Sequence, residues 1–218
     1  MGAVSLSTLE PVASGGGRLV FFHPDFPDCL LKVENAKTPG TAKERVDGLL
    51  GRRFASFATR DLRHEIKAYV DARLQTGQPE GSFPVADFRG LVETDLGIAL
   101  LVERIFRNGE LMGPTVRKLA GKEKTLSDDH LALLNEFARQ LFAWKVRARD
   151  LNPGNIVLGE RDGRERFFLV DGLGDVTLVP LNTWFDVANA VELNRLFAIC
   201  ARGLGLTWDR TARAFSRR

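Results

Sequence analysis

The sequence predicts an α+β protein built as two lobes, and three observations lead there. Strand-forming runs dominate up to about residue 105, whereas apolar residues recur at helical three- and four-residue steps from about residue 127 onward. The change of pattern falls across residues 104–125, which separate the two parts. With 218 residues, 44% of them hydrophobic, the chain can bury a sizeable core. It reads as one domain over residues 1–218, with an N-lobe of about 1–105 and a C-lobe of about 106–218.

Taken in order, Ser14-Gly15-Gly16-Gly17 precedes a β-rich run over residues 18–22. The turn formers of residues 23–28, with His23 a turn residue, lead into a second strand over residues 29–33, giving a hairpin opened by a glycine loop. Residues 34–58 are polar around Pro39-Gly40 and read as an insertion or mobile loop carrying a short helix over 42–50. Leu62, Ile66, Tyr69, Val70 and Leu74 set a helical period over 59–74, broken by residues 77–82. Strands are predicted over 83–92 and 97–103 around the turn 93–96.

In the second part, Ser127 is a helix N-cap with Asp128 and Asp129 favouring the positive end of the dipole. Leu131, Leu134, Ala138, Leu141 and Phe142 line one face up to about Arg147. A loop over 149–155 separates this helix from short strands at 156–158 and 167–170, and the remainder from about Trp184 is predicted helical. On that reading Arg210, Arg213, Arg217 and Arg218 decorate a solvated helix end, with contact to an anionic partner as the alternative. Trp144, Trp184 and Trp208 read as core.

Composition narrows the function classes. A formal charge of +3, from 31 Lys plus Arg against 28 Asp plus Glu, is no nucleic-acid footprint. Cys29 and Cys200 lie among apolar neighbours, without a CxxC pair for zinc, and read as buried thiols in a reducing cytosol. The start of the chain lacks a signal-peptide pattern, and its apolar runs, such as residues 98–102, fall far short of the ~20 residues of a membrane span. A cytoplasmic protein with neither a membrane span nor a nucleic-acid partner is expected. His23, His64 and His130 are scattered over different elements and form no metal or triad pattern.

The chemistry concentrates in Asp150-Leu151-Asn152-Pro153-Gly154-Asn155, where a Pro-Gly turn separates an acid from an amide. Both could serve as turn formers, but the Pro-Gly pair already supplies the turn. Asp171 closes an apolar run sixteen residues beyond Asn155, and a hairpin of that length returns it beside Asn155. A buried carboxylate there costs several kcal/mol unless paired or metal-bound. Asn155 and Asp171 offer hard oxygen donors suited to Mg²⁺ with phosphate oxygens, leaving Asp150 to orient a nucleophile or accept its proton.

The Asp150–Asn155 loop resembles the catalytic loop of protein kinases and, in its Pro-Gly-Asn, that of small-molecule kinases such as aminoglycoside phosphotransferases. Asp171-Gly172 looks like the kinase metal-binding Asp-Phe-Gly with its Phe missing. The resemblance implies a phosphate-covering loop at Gly15, Gly16 and Gly17, and a lysine at Lys32 for the α- and β-phosphates. It likewise implies Glu65 as the glutamate pairing with Lys32, and a hinge through Leu101-Val102-Glu103-Arg104 meeting the adenine. Alternatives stand beside each: a flexible glycine loop, a solvated edge lysine and an ordinary helix-face carboxylate. His23-Pro24, residues 29–33, the Glu65 helix and above all residues 171–184 are similar to the YrbL family of PhoP regulatory network proteins, over roughly residues 14–184.

The resemblance implies a bilobal protein-kinase-like fold with a small, truncated helical C-lobe, binding ATP and Mg²⁺ in the cleft between lobes. Departures bear on function. Ala148 stands where these kinases usually carry histidine, no Ala-Pro-Glu follows Asp171, and only 47 residues come after it. A small-molecule or sugar-like acceptor is therefore expected over a protein. The second reading is a pseudokinase that binds nucleotide, or nothing, and acts through a regulatory protein partner.

Overall fold

The computed structural model describes residues 4–15, 17–35, 60–75, 77, 79–107, 109–174 and 186–218. Gly16, most of the polar stretch 34–58 with its predicted helix, and residues 175–185 including Trp184 lie outside the described residues. The chain divides into two compact units, one of Met1–Arg63 with Asp87–Arg104, the other of His64–Ala86 with Ile105–Arg218.

The first unit is an antiparallel five-stranded sheet. Its strands are β1 (Ala13–Gly15), β2 (Arg18–Phe22), β3 (Cys29–Glu34), β4 (Phe88–Thr94) and β5 (Gly97–Glu103), in the order β1-β2-β3-β5-β4. Alternation puts Phe21, Leu31, Val33 and Ala99 on one face, where they pack with Leu6. Lys32 points to the opposite face, in register with Val20 on β2 and Leu100 on β5. The turn from β2 to β3 is closed by His23, whose Nδ1 accepts the N–H groups of Asp25 (3.1 Å) and Phe26 (3.2 Å).

An N-terminal strap brings Leu6 to the sheet. Val4 donates to Glu93 O (2.9 Å), and Asp95 returns its own N–H to Val4 O (3.1 Å). The Asp95 carboxylate then accepts from the Ser7 hydroxyl (2.5 Å), the Leu6 N–H (2.6 Å) and the Ser7 N–H (3.1 Å). Those donors, the Ser7 hydroxyl foremost, hold its pKa down to about 2.

The second unit contains most of helix α1 (Arg60–Arg73), with α2 (Val116–Ala120), α3 (Asp128–Ala143) and α4 (Asp186–Gly203), and the hairpins β6 (Ile156–Arg161)–β7 (Arg164–Leu169) and β8 (Leu206–Asp209)–β9 (Ala214–Arg217). Ser127 caps α3 as expected, its hydroxyl accepting the His130 N–H at 3.2 Å. The helix stops at Ala143, earlier than the apolar spacing suggests, and Lys145 turns the chain at φ +46°. Its core gathers Ala68, Ala72, Phe83, Leu134, Phe137, Leu141, Trp144, Ile156, Leu158, Phe167, Leu193 and Phe197, among others.

Two expectations are corrected. The strand expected over 83–92 starts only at Phe88. Phe83 and Val85 are buried in the second unit instead, where Leu169 donates to Pro84 O (2.9 Å) and Ala86 to Leu169 O (3.0 Å). The C-terminal part is not helical throughout: α4 ends at Gly203, Gly205 turns at φ +71°, and β8 and β9 follow. Trp208 on β8 stacks on Phe197 of α4 at 4.7 Å, with Phe215 of β9 edge-on at 4.8 Å. The arginines therefore do not form a helix end. Arg213 lies 4.3 Å over the Phe142 ring, and Arg217 donates to Leu126 O (2.9 Å) and pairs with Asp128 (2.6 Å).

Candidate active site

The loop between α3 and β6 is shaped by its own polar side chains. Asp150 Oδ1 accepts the Asn152 N–H at 2.9 Å, and Oδ2 accepts Asn155 Nδ2 at 3.1 Å. Asn155 N donates to Asn152 O at 2.8 Å, closing a ring of hydrogen bonds. Leu151, in the middle, is buried and anchors the loop to the apolar core. With its amide nitrogen committed to Asp150, Asn155 presents its amide oxygen as an acceptor.

The strand pair β6–β7 carries the chain back to this loop, as the hairpin length predicts. Val170 N donates to Asn155 O at 2.9 Å, while Arg149 N and Asp150 N donate to Gly172 O at 2.8 and 3.3 Å. Gly174 N reaches Arg147 O at 3.1 Å, and Ala148 bridges Leu173. Gly172 sits at φ +86°, and a Cβ there would collide with the Asp150 carbonyl oxygen. Only glycine permits that approach. Asp171 Oδ1 accepts the next residue's N–H at 2.7 Å. Asp150, Asn155 and Asp171 are thus gathered on two adjoining segments of one unit.

Supports surround the loop. Asn189 of α4, itself buried, donates to Val146 O at 3.4 Å. Arg147 is buried and pairs with Asp71 of α1. Burial alone would raise Asp71, but hydrogen bonds from Lys67 and Arg147 hold its carboxyl below the ordinary range. Cys200 of α4 is buried too, and its thiol is pushed up to about 12 by burial first and by the Asp150 charge second. Both cysteines are free and buried, as expected.

The other sequence candidates fall as follows. Lys32 lies on β3, an inner strand of the first unit, and is 7% exposed, so it is not a solvated edge lysine. Gly15 ends β1 and Gly17 lies in the turn to β2 at φ +84°. Glu103 ends β5, and its carboxylate accepts the Asp87 N–H at 2.9 Å. Glu65 is on α1 in the second unit and is 6% exposed. One residue the sequence did not single out borders the loop: Arg117 on α2, whose guanidinium donates to Asn152 Oδ1 and whose N–H donates to Pro153 O at 3.1 Å. Thirty-five residues separate Arg117 from Asn152, and no local spacing signals their meeting.

A five-stranded antiparallel sheet in one unit, and an acid–amide loop beside an Asp-Gly segment in a helix-rich second unit, define a bilobal protein-kinase-like fold. The kinase domain of Mycobacterium tuberculosis PknI shares it: the double-mutant crystal structure matches with a TM-score of 0.52 at 19% identity, over 93% of this chain and 74% of that one. A single-mutant structure of the same domain matches at 0.47 and 23% identity, over 87% and 73%. The chain belongs to the family described as PhoP regulatory network protein YrbL, which matches residues 4–205. Among its relatives are the uncharacterized YrbL proteins of Escherichia coli strain K12 and Shigella flexneri. Each is 24% identical over 187 residues, covering 83% of this chain and 78% of the relative. No helix among the described residues is long and apolar enough to cross a membrane.

Proposed function

We propose that the protein is an ATP- and Mg²⁺-dependent phosphotransferase that moves the γ-phosphoryl group to a hydroxyl of a small-molecule or sugar-like acceptor. The observation that carries this reading is the Asp150–Asn155 hydrogen bond on a loop packed against Asp171-Gly172. Asp150 orients the acceptor hydroxyl and takes its proton. The Asn155 amide oxygen and the Asp171 carboxylate are hard donors, and with phosphate oxygens they suit Mg²⁺, which would screen the transferring phosphoryl group. Among the described residues no group of three His, Cys, Asp or Glu side chains is built to hold a metal without such help. Lys32 is assigned to the α- and β-phosphates, Glu65 to holding Lys32, and Gly15, Gly16 and Gly17 to covering the phosphates. Leu101, Val102, Glu103 and Arg104 are assigned to the hinge that would meet adenine, with the Glu103 carboxylate steadied by the Asp87 N–H.

The test is Asp171→Ala, followed by ADP release from Mg-ATP and by thermal melting. Turnover should vanish while the melting temperature stays close to that of the unaltered protein. Turnover that persists removes the metal assignment. Ala148, buried and bridged to Leu173, supports the alternative of a nucleotide-binding regulator without transfer activity. ATP at a hundredfold excess over its dissociation constant should stabilise either form by about 2.7 kcal/mol. Stabilisation without product selects the regulator, and no stabilisation with or without Mg²⁺ removes nucleotide binding itself.

A further inference from the structure

Arg117 is an exposed residue tied to the Asp150 loop at two points. Its guanidinium partner, Asn152 Oδ1, is a neutral amide oxygen that is itself fixed by the Gly154 N–H at 2.9 Å. Among the described residues no carboxylate pairs with Arg117, so its charge is held in place but not neutralised. An arginine with one N–H committed still presents an edge of its planar fork, which fits two oxygens of a carboxylate or phosphate.

Gly154 lies across from that guanidinium. A Cβ built there would stand 3.4 Å from Asn152 Oδ1 and 3.8 Å from Arg117 Cζ, ordinary contact distances, and its backbone is outside the left-handed region. Neither strain nor crowding demands glycine at this position. What the missing side chain does is leave the face of Arg117 open, directly beside the loop that carries Asp150.

We infer that the phosphoryl acceptor is an anionic hydroxyl compound, carrying a carboxylate or phosphate, and that Arg117 anchors its charged end. This rests on the phosphotransferase reading, which puts the acceptor hydroxyl at Asp150. Two residues of chain, at most about 7 Å, separate Asp150 from Asn152, so hydroxyl and anionic group lie a few bonds apart, as in a hydroxy acid or a polyol phosphate. In the step, the hydroxyl oxygen bonds to the γ-phosphorus as that atom's bond to the bridging oxygen breaks. ADP leaves with the electron pair, and the hydroxyl proton passes to Asp150.

The experiment compares glycerate, glycerol phosphate and glycerol as acceptors with Mg-ATP, reading ADP release, in the unaltered protein, Arg117→Ala, Gly154→Glu and Gly154→Ala. KM for at least one anionic probe should be about tenfold below that for glycerol, the scale of a charge-assisted hydrogen bond. The favoured probe tells carboxylate from phosphate. Arg117→Ala, and Gly154→Glu, which sets a carboxylate over the guanidinium, should erase the preference through KM with little change in kcat, whereas Gly154→Ala keeps it. Amide NMR titration reads the seat without turnover: the Arg117, Asn152 and Gly154 signals should move with the anionic probes and not with glycerol. Equal KM values, or a preference that survives Arg117→Ala, overturn the inference and leave the phosphotransferase reading standing. Amide shifts without ADP release sustain the anionic seat and overturn that reading. The absence of both the amide shifts and the lower KM overturns the inference.

Discussion

A side chain at position 172 would meet the Asp150 carbonyl oxygen, and the backbone there stands at φ +86°. Gly163, in the turn between β6 and β7, has a similar φ of +68° with nothing within 4 Å of its would-be Cβ. The two positions separate backbone strain from collision. Gly163→Ala should cost only the left-handed penalty, about 1–2 kcal/mol. Gly172→Ala adds displacement of the loop and should cost roughly 1–3 kcal/mol more, while also loosening the Arg149 and Asp150 bonds to Gly172 O. Urea midpoints of the two variants check this, and equal losses would show that the loop yields without cost. Asp150, Asn155 and Asp171 were legible in the sequence because each lies in a short, turn-bounded motif whose hairpin return is set by length. Arg117 was not, because its meeting with Asn152 is a contact between distant segments with no periodicity behind it.

At the scale of elements, the N-terminal strap depends on a single side chain. Asp95 accepts three hydrogen bonds from Leu6 and Ser7, with a Ser5 hydroxyl contact at 3.1 Å besides. Its pKa is held at about 2, below the ordinary 3.8, so the folded strap binds the ionised form. The contribution is therefore complete above pH 3.8 and disappears as pH falls through about 2. Hydrogen exchange at the Leu6 and Ser7 amides should show protection lost over that window, and Asp95→Ala should remove it at every pH. Protection that survives Asp95→Ala would mean that the Val4 pairing with β4 suffices. The strap escapes sequence reading for the same reason: Ser5-Leu6-Ser7 has no pattern until Asp95 arrives from a turn 88 or more residues away. Strands β2 and β3, helices α1 and α3, and the β6–β7 hairpin show their own periodicity and turn signals. The β8–β9 hairpin does not, since Trp208 and Phe215 pack on Phe197 of α4 and follow no local pattern.

For the whole molecule, the two units differ in how much apolar surface holds them. The buried cluster of the first is Leu6, Phe21, Leu31, Val33 and Ala99, largely one face of a sheet. The second buries a far larger cluster, with six aromatic side chains among its members: Phe83, Phe137, Trp144, Phe167, Phe197 and Phe215. At about 25 cal/mol per Å² of apolar surface removed from water, the second unit has the greater reserve against opening. Each unit carries one buried cysteine, Cys29 in the first and Cys200 in the second, so alkylation reads their opening separately. Burial raises both thiols, Cys200 to about 12, and both stay protonated and unreactive at neutral pH while folded. Cys29 should become modified at lower urea concentration than Cys200, read by mass spectrometry of the two peptides. Coincident midpoints would show that the units open as one. Alkali supplies the second arm: the unfolded Cys200 thiol ionises from the ordinary 9.0 upward, while the folded one keeps its proton to about 12. The balance favouring the folded state is intact below pH 9.0 and is lost as pH rises towards about 12, so Cys200→Ala should flatten the alkaline fall in stability of the second unit. A slope unchanged by that substitution would assign the alkaline loss to other groups.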